Sequence, residues 1–290
     1  MYNAEVNVEG VRSPVIAAGP PLADEAVVYV HGNPGSARDW PELGIEVASF
    51  ARFVALDMPG FGKADKPETF DYTVPGYARH LGGALSALGV RRAHLVLHDF
   101  GGPWALAWAA AHPDAFASAT LIGTGVLVGF RWHYMARIWR TPGLGELFMA
   151  TASRRAFRLL LKRGNPRGLP ASFIEQMFND FDQGTRRAVL RLYRATNDPS
   201  GMARRLATAL APLRRPALVI WGKRDPYIPW PLAERQREVF PDAKVVIMED
   251  SGHWPFVDNR QAVTEMVIQF LCSQVRAPAG SFRPVKGHLP

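Results

Sequence analysis

The chain has a single cysteine, Cys272, in 290 residues. That excludes an internal disulfide framework and any multi-cysteine zinc site. It also lacks a long apolar run: stretches such as residues 104–111 stop far short of the ~20 residues a bilayer span requires. The first residues, Met1-Tyr2-Asn3-Ala4-Glu5-Val6, show no basic segment followed by an apolar one. No secretory leader is expected, and a soluble, cytoplasmic protein is. There is no internal repeat. A composition of 48% hydrophobic and 21% charged residues excludes disordered and fibrous classes. A chain of this length can bury roughly three quarters of its unfolded surface.

What is present in excess is positive charge, and it is unevenly placed. Residues 131–215 hold 17 Lys/Arg against 5 Asp/Glu, a net of +12; with +8 for the whole chain, the remainder carries −4. Clusters such as Arg154, Arg155, Arg158, Lys162 and Arg163 have two readings. One is an anionic partner, nucleic acid or a charged surface. The other is a solvated helix face whose arginine stems cover apolar surface. No nucleic-acid motif accompanies the charge, so the second is preferred and nucleic acid is not expected as a partner.

Short β-branched apolar runs recur at residues 26–30, 53–56, 93–97, 119–122, 217–220 and 245–248, each ending near Gly, Asp or Pro, with helix-like segments between them. Continuous apolar runs of this length suit strands covered on both faces, hence an α/β fold with a mostly parallel sheet. Working residues in such sheets collect where strands end. The alternation breaks after about Phe130, where only helical periodicity remains until about Arg215. The expected organisation is a core in two parts, residues 1–128 and 214–276, a helical lid or cap at 129–213, and a loose tail at 277–290.

The central motif is Leu95-Val96-Leu97-His98-Asp99-Phe100-Gly101-Gly102. A strand runs directly into a helix, with one reactive side chain at the bend and small residues after it, as in a nucleophile elbow. Alone, Asp99 reads equally well as a helix N-cap. Two later sites separate the readings: Asp225 follows the 217–220 run, and His253 follows the 245–248 run within Ser251-Gly252-His253. The order nucleophile, acid, histidine is that of the α/β-hydrolase elbow enzymes.

These residues, together with His31-Gly32-Asn33-Pro34 and Asp57-Met58-Pro59-Gly60-Phe61-Gly62, resemble the α/β-hydrolase superfamily from about Glu5 to Leu271. Within it they resemble the aspartate-nucleophile branch, the epoxide hydrolases and haloalkane dehalogenases. The resemblance implies a cis Asn33–Pro34 peptide and an oxyanion hole made by the backbone N–H groups of Asn33 and Phe100. It implies no cofactor and no metal, a small apolar substrate, and it leaves a homodimer open.

A carboxylate needs no deprotonation before it attacks a tetrahedral carbon, so Asp99 would form an alkyl–enzyme ester. His253, oriented by Asp225, would then activate water against the Asp99 carboxyl carbon. The oxyanion would form on Asp99 itself, where each N–H donor is worth about 3–4 kcal/mol. The leaving group divides the branch. An opening epoxide needs a proton donor, and the resemblance places two on lid tyrosines: Tyr193 in Leu192-Tyr193-Arg194 and Tyr134 ahead of Trp139-Arg140-Thr141-Pro142-Gly143, with His133 the neighbouring alternative. A halide needs N–H donors; Phe100 supplies none where dehalogenases usually carry Trp, whereas Asn33 matches their second halide ligand. The expected activity is epoxide hydrolysis, with dehalogenation through Asn33 as the alternative and a non-catalytic binding protein as a third reading.

Overall fold

The computed structural model describes residues 1–276; the tail expected at 277–290 lies outside the described residues. Eight strands form one sheet: β1 (Tyr2–Val8), β2 (Val11–Ala18), β3 (Glu25–Val30), β4 (Arg52–Leu56), β5 (Arg92–His98), β6 (Phe116–Ile122), β7 (Ala217–Gly222) and β8 (Lys244–Met248), in the order β1-β2-β4-β3-β5-β6-β7-β8. The six strands from β3 onward pair in parallel. The protein therefore has the mostly parallel α/β sheet that the apolar runs imply.

The first two strands depart from that reading. They form an antiparallel hairpin, and β2 also pairs antiparallel with β4. Their residues are only partly buried, so no continuous apolar run announces them. The turn residues Glu9 and Gly10 both have positive φ, 51° and 83°, the geometry of a tight two-residue hairpin turn.

The central strands are buried on both faces, and the period of two is visible in what each residue touches. From β3, Val28 and Val30 enter one core with Val54, Leu56, Leu95, Leu97 and Val219. Val27 and Tyr29 enter the other with Phe53, Ala55, Val96 and Ile220. Helices α1 (Pro41–Ala48), α2 (Val74–Ala87) and α3 (Gly101–Ala111) supply the first covers: α2 and α3 pack on the former face, α1 on the latter.

Between β6 and β7 the chain is helical only: α4 (Tyr134–Arg140), α5 (Leu144–Ala150), α6 (Arg154–Gly164), α7 (Ala171–Asp180), α8 (Gln183–Ala195) and α9 (Pro199–Leu210). After β7 come α10 (Pro231–Glu234), α11 (Pro255–Asp258) and α12 (Arg260–Gln274). None of the described helices is long and apolar enough to cross a membrane.

The arginines of the insertion are largely occupied in holding it together. Arg140 donates to the carbonyls of Tyr193 and Thr196, and Arg186 to those of Phe181 and Met149. Arg154 and Arg158 share Glu175, and Arg194 is forked onto Glu146. Arg140 and Arg186 thus answer carbonyls at helix ends, where the ladder of a helix runs out. Ion pairs from the loops after β3 and β4 then fix one flank of the insertion: Arg38 and Lys63 to Asp180, Lys66 to Asp182, and Glu68 to Arg191.

Candidate active site

Asp99 sits at the bend between β5 and α3 with φ at +47°, a left-handed conformation that is uncommon outside glycine and stores ~1 kcal/mol or more. The surroundings offset that strain. The Asp99 carbonyl accepts from Thr124 Oγ1 at 2.5 Å and from the Gly102 N–H at 3.0 Å, and carboxylate Oδ1 accepts from the Asn33 N–H at 2.7 Å. Close approach decides the neighbouring residue types. A Cβ on Gly101 would overlap the Val30 and His31 carbonyls, one on Gly102 would meet Thr124, and one on Gly32 would meet the Asp99 side chain. Gly32, two strands of sequence away, thus does part of the work expected of a small residue before the elbow; position 97 holds Leu.

His253 lies on the loop between β8 and α11. Its Nδ1 is 2.7 Å from Asp225 Oδ2, and its Nε2 is 3.6 Å from Asp99 Oδ2. Asp225 is fixed in turn through Oδ1, which accepts from the N–H groups of Tyr227 at 2.7 Å and Ile228 at 3.1 Å. All three side chains are buried. The sequence-predicted Asp99, Asp225 and His253 are therefore brought together at the carboxyl end of the parallel strands. The Asn33–Pro34 peptide is cis. Of the two expected oxyanion donors, Asn33 is bonded to Asp99, whereas the structure gives the Phe100 N–H no bond to that carboxylate.

Charge is the ruling feature of this cluster. Burial disfavours the charged form of Asp99, but the hydrogen bond and charge of His253, with His98 and the Asn33 N–H, outweigh it and hold the carboxyl at about 2. Burial likewise opposes a charged His253, yet Asp225 and then Asp99 raise it to about 10. The imidazolium is held between two carboxylates. His98, at the end of β5, is the opposite case: burial first, then His253, lowers it to about 3, so it stays neutral and its Nε2–H donates to the His253 carbonyl at 2.8 Å.

Two apolar lobes meet at Asp99, His133 and Tyr193. The smaller runs between Pro103, Leu127, Phe130, Met202 and Leu206. The larger runs past Met135, Phe148, Phe157, Leu160, Leu161 and Phe181 to Tyr227 and His253. Tyr193 is 2% exposed and stands among Phe100, Trp132 and Trp139, with ring centroids 5.1, 5.2 and 4.8 Å away. Its oxygen accepts from Asn33 Nδ2 at 3.3 Å, which leaves its own proton to donate. Burial, then the Asp99 charge, pushes the phenol well above its usual value.

Tyr134 corrects the expectation. It is 53% exposed and lines neither lobe, while the residue before it, His133, lines both. One position along a helix turns a side chain by about 100°, and the periodicity of this stretch does not fix that phase. His133 N-caps α4: its Nδ1 accepts from the Ala136 N–H at 3.2 Å. Burial lowers it to about 4. It is thus a neutral imidazole with its proton on Nε2, a donor beside Tyr193. Tyr227 was missed from the sequence altogether; its ring stands 5.1 Å from that of His253, and its only signal is its place two residues after Asp225. Among the described residues, no group of three or more His, Cys, Asp or Glu could hold a metal ion.

A family model described as the alpha/beta hydrolase fold matches residues 25–260, and the chain belongs to that family. A curated relative from a Pseudomonas species, a 2-hydroxy-6-oxononadienedioate/2-hydroxy-6-oxononatrienedioate hydrolase, is 26% identical over 262 residues, covering 86% of this chain and 88% of its own. Among solved structures, the epoxide hydrolase CorEH superposes with a TM-score of 0.79 at 18% identity, covering 94% of this chain and 99% of its own. The haloalkane dehalogenase DatA of Agrobacterium tumefaciens C58 gives 0.82 at 19% identity, with 94% and 97% coverage. At those identities the structural likeness speaks for the fold.

Proposed function

We propose that this protein is an epoxide hydrolase that opens an apolar oxirane to a vicinal diol through an ester on Asp99. The observation that carries the reading is a buried, ionised carboxylate at the elbow, facing a buried phenol that has a proton to give. Asp99 attacks an oxirane carbon, the C–O bond breaks, and the alkoxide takes the Tyr193 proton with His133 Nε2–H as the second donor. The imidazolium of His253 returns a proton to the phenolate. Esterification has by then removed the Asp99 charge that held His253 protonated, so the neutral imidazole becomes available as a base. It takes a proton from water, and the hydroxide adds to the Asp99 carboxyl carbon. The tetrahedral intermediate collapses as the His253 imidazolium protonates the departing alkoxide, releasing the diol and leaving Asp99 as the neutral acid. The Asp99 proton returns to His253, restoring the starting charges with no external acid.

The lobes also bear on the substrate. With apolar walls on both sides of Asp99, they suit an uncharged oxirane bearing apolar groups on both carbons. The Pseudomonas relative is named for a dienedioate, an acid; among the described residues, no Lys or Arg lines either lobe to receive carboxylates.

Asn33 favours a second reading, haloalkane dehalogenation. Asn33 lines the larger lobe, and its Oδ1 is buried with no hydrogen-bond partner. A halide there would have to draw Nδ2 away from Tyr193, and Phe100 offers no second donor. A substrate panel decides between them: diol formation from disubstituted epoxides without halide release supports the first reading, and halide release from 1-bromoalkanes without diol formation replaces it by the second.

A further inference from the structure

The loop at the end of α6 belongs to the helical insertion, yet it touches the backbone of His253 and Trp254. Gly164 O accepts from the His253 N–H at 3.0 Å, and Asn165 Oδ1 accepts from the next N–H, that of Trp254, at 3.0 Å. On its other side the Asn165 amide donates through Nδ2 to Leu161 O at 2.9 Å. Since one neighbour is a donor and the other an acceptor, the amide has only one satisfying orientation. Asn165 is fully buried. Gly252 permits this approach, because a Cβ there would overlap the Gly164 carbonyl.

With the His98 bond to the His253 carbonyl, both peptide groups flanking the imidazole are held, and only the side-chain torsions remain free. The insertion does not need this link to stay attached, since Asp180, Asp182 and Arg191 tie its other flank to the body.

We propose that Asn165, acting with the Gly164 carbonyl, is a positioning residue that sets His253 for hydrolysis of the ester. The inference rests on the reading of His253 as the base. It separates the two half-reactions. Attack by Asp99 uses the carboxylate and the donors Tyr193 and His133; only the second step requires the imidazole to meet a water at the Asp99 carboxyl carbon. Displacing a reacting group by about 1 Å can cost about a hundredfold, so loosening this loop slows the second step selectively.

The test uses Asn165→Ala and Asn165→Asp, the latter, as the neutral acid in this buried place, keeping an oxygen acceptor for the Trp254 N–H and an O–H for the Leu161 carbonyl. Each is mixed with trans-β-methylstyrene oxide, an epoxide with an apolar group on each carbon, quenched in acid on the millisecond scale and weighed by intact-protein mass spectrometry. In parallel, proton NMR follows the downfield His253 Nδ1–H that reports the bond to Asp225. For Asn165→Ala we expect ester formation within about twofold of the parent, ester hydrolysis slowed about tenfold or more, accumulated Asp99 ester, and a shifted or broadened His253 resonance. Asn165→Asp should recover most of the hydrolysis rate. If Asn165→Ala does not fold, Asn165→Ser, too short to reach the Trp254 N–H, carries the same expectation. Equal slowing of both steps, or no change in either with the resonance intact, overturns the proposal. A parent enzyme that never forms an ester fails the function reading instead, and the resonance alone then decides the role of Asn165.

Discussion

The ends of the strands and the helical insertion both contribute to one cavity, but they place their side chains by different means. Asp99 follows β5 at once, and Asp225 and His253 lie on the loops after β7 and β8; they are fixed by hydrogen bonds from backbone and side chains at the strand ends and by one another. Tyr193 and His133 are placed by the phase of α8 and α4, which depends on how whole helices lie against the body. A strand end specifies position through local chemistry. A helix specifies it through packing over many residues, and an error of one position moves a side chain from cavity to solvent.

Substitutions sharpen this contrast. The largest effect belongs to the strand ends: Asp99→Ala should lower epoxide turnover by roughly 10⁴-fold or more, as when a nucleophile is removed from a triad, with the fold intact by circular dichroism. His253→Gln should leave ring opening in place and stop the cycle at the ester, seen as a stable mass increase equal to one substrate. In the insertion, Tyr193→Phe should cost about 10²-fold or more in turnover, the scale of a lost general acid. Under the dehalogenase reading, the same substitution would leave halide release near the parent rate. Tyr134→Phe should change turnover by less than about twofold, as for surface changes away from a site. A larger loss at Tyr134 than at Tyr193 would reverse the assignment of the two positions.

The pH dependence of stability gives a smaller, independent check. His253 is raised from 6.5 to about 10, so its pairing contributes fully below 6.5 and is lost as the pH climbs through about 10. Asp99 is lowered from 3.8 to about 2, so its contribution is present above 3.8 and lost as the pH falls through about 2. Thermal unfolding between pH 7 and 10 should therefore fall more steeply in the parent than in Asp99→Asn, which lacks one of the two charges facing His253. Identical slopes would remove the ion pair from the account.

Much of this architecture was legible because it is written locally. Apolar runs marked the parallel strands, and the polar residues gathered at their ends marked the cluster. The hairpin of β1 and β2 was not legible, because strands with partly exposed residues carry no continuous apolar run. Gly32 and Asn165 were hidden for another reason. Their roles lie in contacts made far along the chain, Gly32 against Asp99 and Asn165 against Trp254, and nothing in their immediate neighbours announces the partner. The excess of arginine reads in the sequence as a solvated helix face, whereas in the structure Arg140 and Arg186 serve helix-end carbonyls.

Oxygen tracing in a single turnover tests the central claim most directly. With enzyme in excess over an apolar epoxide in H₂¹⁸O, the account predicts a first diol whose new oxygen is ¹⁶O from the Asp99 carboxylate, with ¹⁸O left on the protein at residue 99. Full ¹⁸O incorporation into that first diol would mean water attacks the oxirane directly, and would contradict the account.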